Sequence, residues 1–544
     1  MRSLKWGLGM PAVFPCEAEP PLIVALDIGT SSVRALIFDR RGCPLACLEG
    51  RAAYAMEVTP DGGVQTDADA MVARAVTCLD ALLAALGAHP LPIAAVATSA
   101  FWHSLVGVDA SGHAVTPLYG WGDTRSRAEA AELRQRLDEG AVHARTGCLF
   151  HPSYLPAKLL WLTRAAPGPF RHAARWMSVG EYLHLRLLGR ATCSLSMASG
   201  TGLFNQQEGT WDAEVLHAIP IGPEHLSPLT DLDAPIAGLR GEFASRWPTL
   251  REALWFPALG DGACSNVGSG CMGPGRVALA VGTSGAMRAL CEAPAARVPW
   301  GLWVYRLDRR RAVLGGALSS GGDVFAWLQE VLRLGTPEEV EGELVALPPD
   351  GHGLTCLPFL VGERSPGWAA EARGALVGLR LTTRPIEILQ AALEAIAYRF
   401  ALIHELLGQT LPGPAEIVAS GGALLRSPAW MQMMANVLGE PVTASAEPEA
   451  SSRGAALLAL EALGHLPDLA AAPAAVGRTF SPEPGKHQRY REALKRHRAL
   501  YEALIVQGVP GNAARESGSA MGRAEDGAAG SDGTPRRGQI VRLD

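Results

Sequence analysis

Hydrophobic positions in this chain fall into short continuous runs that alternate with stretches of helical spacing. LIVALDI (Leu22 to Ile28) and VRALIFD (Val33 to Asp39) are apolar, β-rich runs joined by GTSS and closed by the polar turn DRRG, so both read as strands. PIAAVATS and LVGVDASGHAV repeat the pattern, with Ala110-Ser111-Gly112 as a turn. Alanines and leucines then recur at helical spacing through RSRAEAAELRQRLDEG, with Asp123 and Thr124 placed to cap that helix. Thr383 and Pro385 open a further helix through LQAALEAIAYRFALIHELL. Such alternation predicts an α/β chain rather than an all-β protein or a helical bundle.

Two segments of this pattern match each other. ALDIGTSSVRAL begins at Ala25 and ALAVGTSGAMRAL at Ala278; both read apolar strand, Gly-Thr-Ser, short turn, Arg-Ala-Leu. The turns lie 253 positions apart, from Gly29 to Gly282. A repeat opening each half of the chain predicts two related domains. The expected division is 21–261 and 262–506, between an unstructured leader (1–20) and a disordered tail (507–544) rich in Gly, Ala, Ser and charge.

Composition narrows the class. At 544 residues the chain is too long for one hydrophobic core. A hydrophobic fraction of 48% with 19% charged residues is that of a globular protein. The net charge of −6 argues against a nucleic-acid groove, and no stretch is apolar enough to span a bilayer. Ten cysteines without CxxC or zinc spacing predict reduced thiols. Gly and Pro break the short apolar run near the N-terminus, so a cytoplasmic location is expected over secretion.

The repeated turns carry the chemistry. Gly29, Thr30, Ser31 and Ser32, with Arg34 beyond, and Gly282, Thr283 and Ser284 each offer backbone N–H groups and hydroxyls in a small concavity. Two facing copies would grip the phosphates of one nucleotide, although each alone is also an ordinary hairpin turn. The copies differ at Asp27, which the second replaces with Ala280. A carboxylate there suits Mg²⁺ on the phosphates, or simply caps the turn. In WFPALGDGACSNVGSG, Asp261 stands between glycines at the start of a predicted helix. It reads as a general base and second metal carboxylate, or as an N-cap. In EIVASGGALLRSPAW, Gly421, Gly422 and Ala423 form a turn on which a flat base could lie, before a helix opened by Pro428. GSGCMG (Gly268, Gly270, Gly273) has dinucleotide spacing but precedes a strand, and no GxxxxGK[ST] occurs.

LDIGTSSVRALIFD, WGDTR, GDGACSN, AVGTSG, LPFLVGERSPGW and ASGGALLRSPAWMQMMANVLG together resemble the FGGY-type carbohydrate kinases. That family includes glycerol kinase, xylulokinase and one type of gluconokinase, and the likeness spans 21–505. It implies two ribonuclease-H-like, actin-like domains around a nucleotide and sugar cleft, ATP with Mg²⁺, and Asp261 as base. Ala395 departs from it, since many relatives carry glycine there; packing is the expected consequence.

The resemblance places sugar contacts in the first half, at Trp102 and His103, at Trp121, Asp123 and Arg125, and at His151, Tyr154 and Lys158. Aromatic faces beside a carboxylate and donors suit a polyol, although Trp121 and Trp161 also read as core and Lys158 as a solvated helix residue. The His-Ser after the strand, the WxDxRS form and the HP in FHPSY look most like gluconokinase, with xylulokinase next. A gluconate carboxylate would find cations in Arg125, Lys158, His103 and His151. The expected partners are therefore ATP and a small sugar or sugar acid, with no nucleic acid and no membrane; a homodimer is compatible with the chain. A sugar sensor on this fold would have lost Asp27 or Asp261, and an actin-like ATPase would not need FWHS with WGDTR.

Overall fold

The computed structural model describes residues 12–87, 92–273, 275–295, 297–411 and 415–508. Its framework is two mixed sheets built to one plan. In the first, Leu22–Ile28 lies between an antiparallel partner, Ser32–Phe38, and a parallel one, Ile93–Ala100. Pro44–Ala53 continues one edge, while Leu254–Trp255 and Leu259–Gly260 pair along Ile93–Ala100. In the second, Arg276–Val281 lies between antiparallel Gly285–Glu292 and parallel Glu416–Ser420. Trp303–Arg306 and Arg311–Leu318 extend one side, Val442–Ser445 and Val476–Phe480 the other.

The repeat in the sequence is thus a repeat of topology. Each central strand feeds a tight hairpin, and each is flanked in parallel by a strand that ends at the same level. In the first half that parallel strand runs out into Phe101-Trp102-His103, and in the second into Gly421-Gly422-Ala423. All seven residues of Leu22–Ile28 are buried, as expected of a central strand covered on both faces. Asp27 is the one ionisable residue in that run, so its burial requires a reason beyond packing.

Helices cover the sheets. Ala68–Leu86 packs its buried stripe (Met71, Val72, Ala75, Leu79, Leu82) on the first sheet. Ala450–Ala462, from the far half of the sequence, packs on Leu22–Ile28, Ile93–Ala100 and the helix Asp261–Gly268. Small residues permit that crossing: a Cβ on Gly454 would collide with the Cys264 carbonyl, and one on Gly268 with the Ala450 carbonyl. In the second half, Pro385–Leu407 is buried nearly all round, with Ala395 fully enclosed. A smaller core of Leu105, Tyr119, Leu133, Leu159, Trp176 and their neighbours supports an insertion between Phe101 and Leu254.

Some local expectations shift. Residues 12–20, expected as unstructured leader, carry the 3-10 turn Pro15–Glu17 and a bridge from Val13 to Leu45; residues 1–11 lie outside the described set. The helix expected after Asp123 and Thr124 begins later, at Arg127–Arg136, because Asp123 is engaged elsewhere and Ser126 takes the N-cap position. Pro385–Leu407, Pro428–Leu438 and Asp261–Gly268 start where the sequence placed them. All ten cysteines are free thiols. Among the described residues no helix is long and apolar enough to cross a membrane. Towards the end of the described residues the helix Pro484–Tyr501 passes into a π-helical turn, Glu502–Val506. The tail expected to be disordered lies, from 509 onward, outside the described residues.

Candidate active site

A cavity of about 120 Å³ opens where elements of both sheets converge. From the first half it takes Phe101, Trp102, His103, Trp121, Ser153, Tyr154 and Asp261; from the second, Ser284 to Ala286, Arg288, Trp303, Tyr305, Ala317, Arg364 and Trp368.

Asp261 is the first residue of its helix, where the unsatisfied N–H groups favour an anion. Its Oδ1 accepts from Gly262 N (2.8 Å). Burial pushes its pKa up, opposed first by Arg288. The flanking glycines are steric necessities. A Cβ on Gly260 would overlap the Trp102 indole, and one on Gly262 would reach within 2.5 Å of that ring and collide with Arg288 Nη1. Trp102 is fixed in turn by Nε1 donating to Ser196 O (2.9 Å) and by edge contacts to Trp303 and Tyr305.

His103 has φ of +64°, a strained conformation for a residue with a side chain, and its Nδ1 lies 2.6 Å from Gly200 O. Burial lowers its pKa to about 3, so the ring is neutral, Nδ1–H donates and Nε2 is left as an acceptor. Tyr154 OH meets Tyr305 OH at 2.6 Å, and Tyr154 stacks on Trp368.

The other expected sugar contacts stand behind this wall. Asp123 is buried and grips Arg125 (2.5 Å), while accepting from Val64 N (3.2 Å). Arg125 in turn stacks over Trp161 at 4.6 Å. His151 is buried against Ser153 Oγ (3.0 Å) and edge-on to Trp368, and burial holds its pKa well below the ordinary value. Lys158 is not solvated: it is 1% exposed, donates to Ser153 O (2.5 Å), and burial lowers its pKa to about 7. None of the four lines the cavity: His151 and Lys158 hold Ser153 behind it, while Asp123 and Arg125 hold each other.

In the turns expected to hold phosphate, Gly29 N donates to Ser32 O (3.0 Å), closing the first turn with Thr30 half-buried and Ser31 exposed. Tyr54 clamps that turn, its OH donating to Gly29 O (2.6 Å) and its N to Ser31 O (3.0 Å). Arg34 pairs with Glu449 and donates to Ser32 Oγ (3.1 Å). The second turn, one residue tighter, closes by Gly282 N donating to Ser284 O at 3.0 Å. Gly421 has φ of +90°, and a Cβ there would strike the Val281 carbonyl, so glycine is required beside this turn. Sequence reasoning missed the third member of this cluster, Ser320-Gly321-Gly322-Asp323. Gly322 N donates to Gly282 O (2.8 Å) and Asp323 N to Thr283 O (3.1 Å), at the start of the helix Gly322–Val331. The Gly-Gly-Asp before a helical run was the available signal.

Asp27 sits at the end of its strand with Oδ1 buried and unpartnered. Burial raises its pKa to about 6, despite Ser99 and Arg34, and Asp261 is near enough to raise it further. A buried, unsatisfied carboxylate oxygen beside a second carboxylate fits Mg²⁺, which takes few protein ligands and keeps its waters. Among the described residues no group of three or more His, Cys, Asp or Glu could form a fuller metal cage.

Two sheets built to one plan, each with a Gly-Thr-Ser hairpin beside its central strand, and a cavity lined by Asp261 and Ser284 are the fold and site of a kinase of the actin-like ATPase superfamily. Comparison with known proteins gives the family. Residues 22–268 match the N-terminal domain, and residues 277–463 the C-terminal domain, of the FGGY family of carbohydrate kinases. The chain belongs to that family and is an ATP-dependent carbohydrate kinase. It is 28% identical over 495 residues to a gluconokinase of Bacillus subtilis (strain 168), covering 89% of this chain and 94% of that one. The crystal structure of gluconate kinase from Lactobacillus acidophilus superposes with a TM-score of 0.82 at 27% identity, covering 89% and 98%. Ligand-bound xylulose kinase from the same organism gives the same TM-score and identity, covering 89% and 99%.

Proposed function

We propose that the chain phosphorylates D-gluconate on its terminal hydroxyl, giving 6-phospho-D-gluconate, with Asp261 as general base. The observation that carries this is that Asp261 and Ser284 of the second phosphate turn share one cavity with Trp102, His103, Trp121 and Tyr154. A hydroxyl donor, a proton acceptor and a phosphate cradle thereby meet in one space. The likeness to gluconate kinases supports the choice of acid.

Phosphoryl transfer needs positioning and charge stabilisation more than covalent participation by the protein. Stacked aromatic walls orient the carbon chain, and the neutral His103 Nε2 accepts from one of its hydroxyls. Asp261, oriented by Gly262 N–H and with Arg288 favouring its charged form against burial, receives the proton of the attacking hydroxyl. Gly29, Thr30, Ser31 and Ser32 hold the phosphates from one side and Gly282, Thr283 and Ser284 from the other. Gly421, Gly422 and Ala423 face the adenine. Asp27, with Asp261, would hold Mg²⁺, which neutralises phosphate charge when bound. A pentulose such as D-xylulose is the second reading, since the xylulose kinase superposes equally well.

Asp261→Asn tests the mechanism. Turnover should fall about 10²- to 10⁴-fold, as expected for loss of a general base. ATP affinity, measured by calorimetry, should stay within about threefold; near-normal turnover would sink the role given to Asp261.

A further inference from the structure

The four cations expected to receive a substrate carboxylate are all committed elsewhere or neutral. Arg125 is held by Asp123, Lys158 by the Ser153 carbonyl, and burial keeps His103 and His151 uncharged. Two other cations do line the cavity, and both come from the second half of the chain. Arg288 projects from Gly285–Glu292 and Arg364 from the loop after Leu357; each is 8% exposed.

Among the described residues neither guanidinium has a carboxylate within ion-pair distance, and the Nε of each is buried without a hydrogen-bond partner. Arg364 is held as a rigid platform: its plane lies 4.5 Å over the Trp121 ring, and Nη2 donates to Leu318 O (2.6 Å). Arg288 Nη1 occupies the space that a side chain on residue 262 would fill, beside Asp261. The cavity wall therefore carries two guanidiniums against one carboxylate. Burial opposes their charge, lowering the pKa of Arg364 to about 10, and the two repel each other. Unpaired buried charge is costly, and an anionic ligand would relieve it.

Resting on the kinase reading above, we propose that Arg364, assisted by Arg288, is the anion subsite that binds the substrate's carboxylate and so selects a sugar acid over a neutral polyol. Arg364 takes the distal end because it stacks on Trp121, whereas Arg288 abuts Asp261, where the reacting hydroxyl must lie. A planar guanidinium matches a carboxylate bidentately, which an ammonium does not. The same chemistry would suit the transferring phosphoryl group, and the test must separate these two sources of negative charge.

The probes are D-gluconate and D-gluconamide, which differ only in the charge of the head group, phosphorylated by the full chain with Mg·ATP. Wild type should favour gluconate by on the order of 100-fold in kcat/KM, the size expected of a charge-assisted bidentate pair. Arg364→Gln should bring that ratio toward one through KM, Arg288→Gln should reduce it less, and Arg364→Lys should restore part of it. Calorimetric titration of each variant with gluconate alone, without nucleotide, reads the same preference in any variant too impaired for kinetics. Were both glutamine variants to keep the wild-type ratio while losing turnover on both substrates equally, the arginines would serve the phosphoryl group and the proposal would fall. A wild type that phosphorylates neutral ketoses and ignores every acid would instead overturn the gluconate reading itself.

Discussion

Gly260 and Trp102 occupy the same space: the position a Cβ would take on Gly260 lies within the indole ring. Trp102 continues the strand Ile93–Ala100, and Gly260 ends the strand that pairs with its last residues, Ser99 and Ala100. Their contact sets how deeply the indole lies beneath Asp261 and hence the shape of the cavity floor. Gly260→Ala should therefore tilt Trp102 or displace Asp261. We expect a loss of about 1–3 kcal/mol of stability, as for overpacking, with kcat/KM down more than about tenfold. Thermal unfolding and steady-state kinetics check both; wild-type values in each would show the floor to be pliable.

Asp27 is a buried carboxylate that costs the fold stability when it is charged. Its pKa in the fold is about 6 against 3.8 when free, so between those values the native state binds more protons than the unfolded chain. Stability from this residue consequently falls as pH rises through that window, and the full penalty is present above pH 6. Asp27→Asn without ligands should be more stable than wild type at pH 7.5, by up to about 3 kcal/mol, with the gap closing near pH 4. The same variant should use Mg·ATP poorly. Melting curves across pH and a Mg·ATP titration test the two halves separately; a variant less stable at pH 7.5 would contradict the first.

Gly454 lies on Ala450–Ala462, away from the cavity, yet a Cβ there would collide with the Cys264 carbonyl of the helix that begins at Asp261. Gly454→Ala should push that helix and misplace the carboxylate. The expected signature is kcat falling more than KM, with a stability loss of about 1–3 kcal/mol. An unchanged kcat would mean that the two helices separate without moving Asp261.

What the sequence revealed follows the range of the interactions. The hairpins were legible because strand, glycine turn and strand are local, and their repetition exposed the two halves. Asp261 was placed correctly at the start of its helix because Gly260 and the following small residues mark that boundary. Arg288 and Arg364 were not legible, although both sit inside quoted motifs. Nothing local distinguishes an arginine that lines a cavity from one on the surface, and their role depends on strands and loops that meet only in the fold. Asp123 misled as a helix cap for the converse reason: its position before the helical run suggested that role, but Arg125, two residues on, occupies it. Trp303 and Tyr305 complete the aromatic wall from a strand that no motif marked, and Trp368 from the end of LPFLVGERSPGW.

The central claim is acceptor-dependent phosphoryl transfer to a sugar acid. The most direct measurement is ADP release from Mg·ATP by the full chain with D-gluconate, D-xylulose, L-ribulose, glycerol or no acceptor. The account predicts a strong response to gluconate, with 6-phospho-D-gluconate as product, and little release without an acceptor. Release that is the same with every sugar and with none would contradict it.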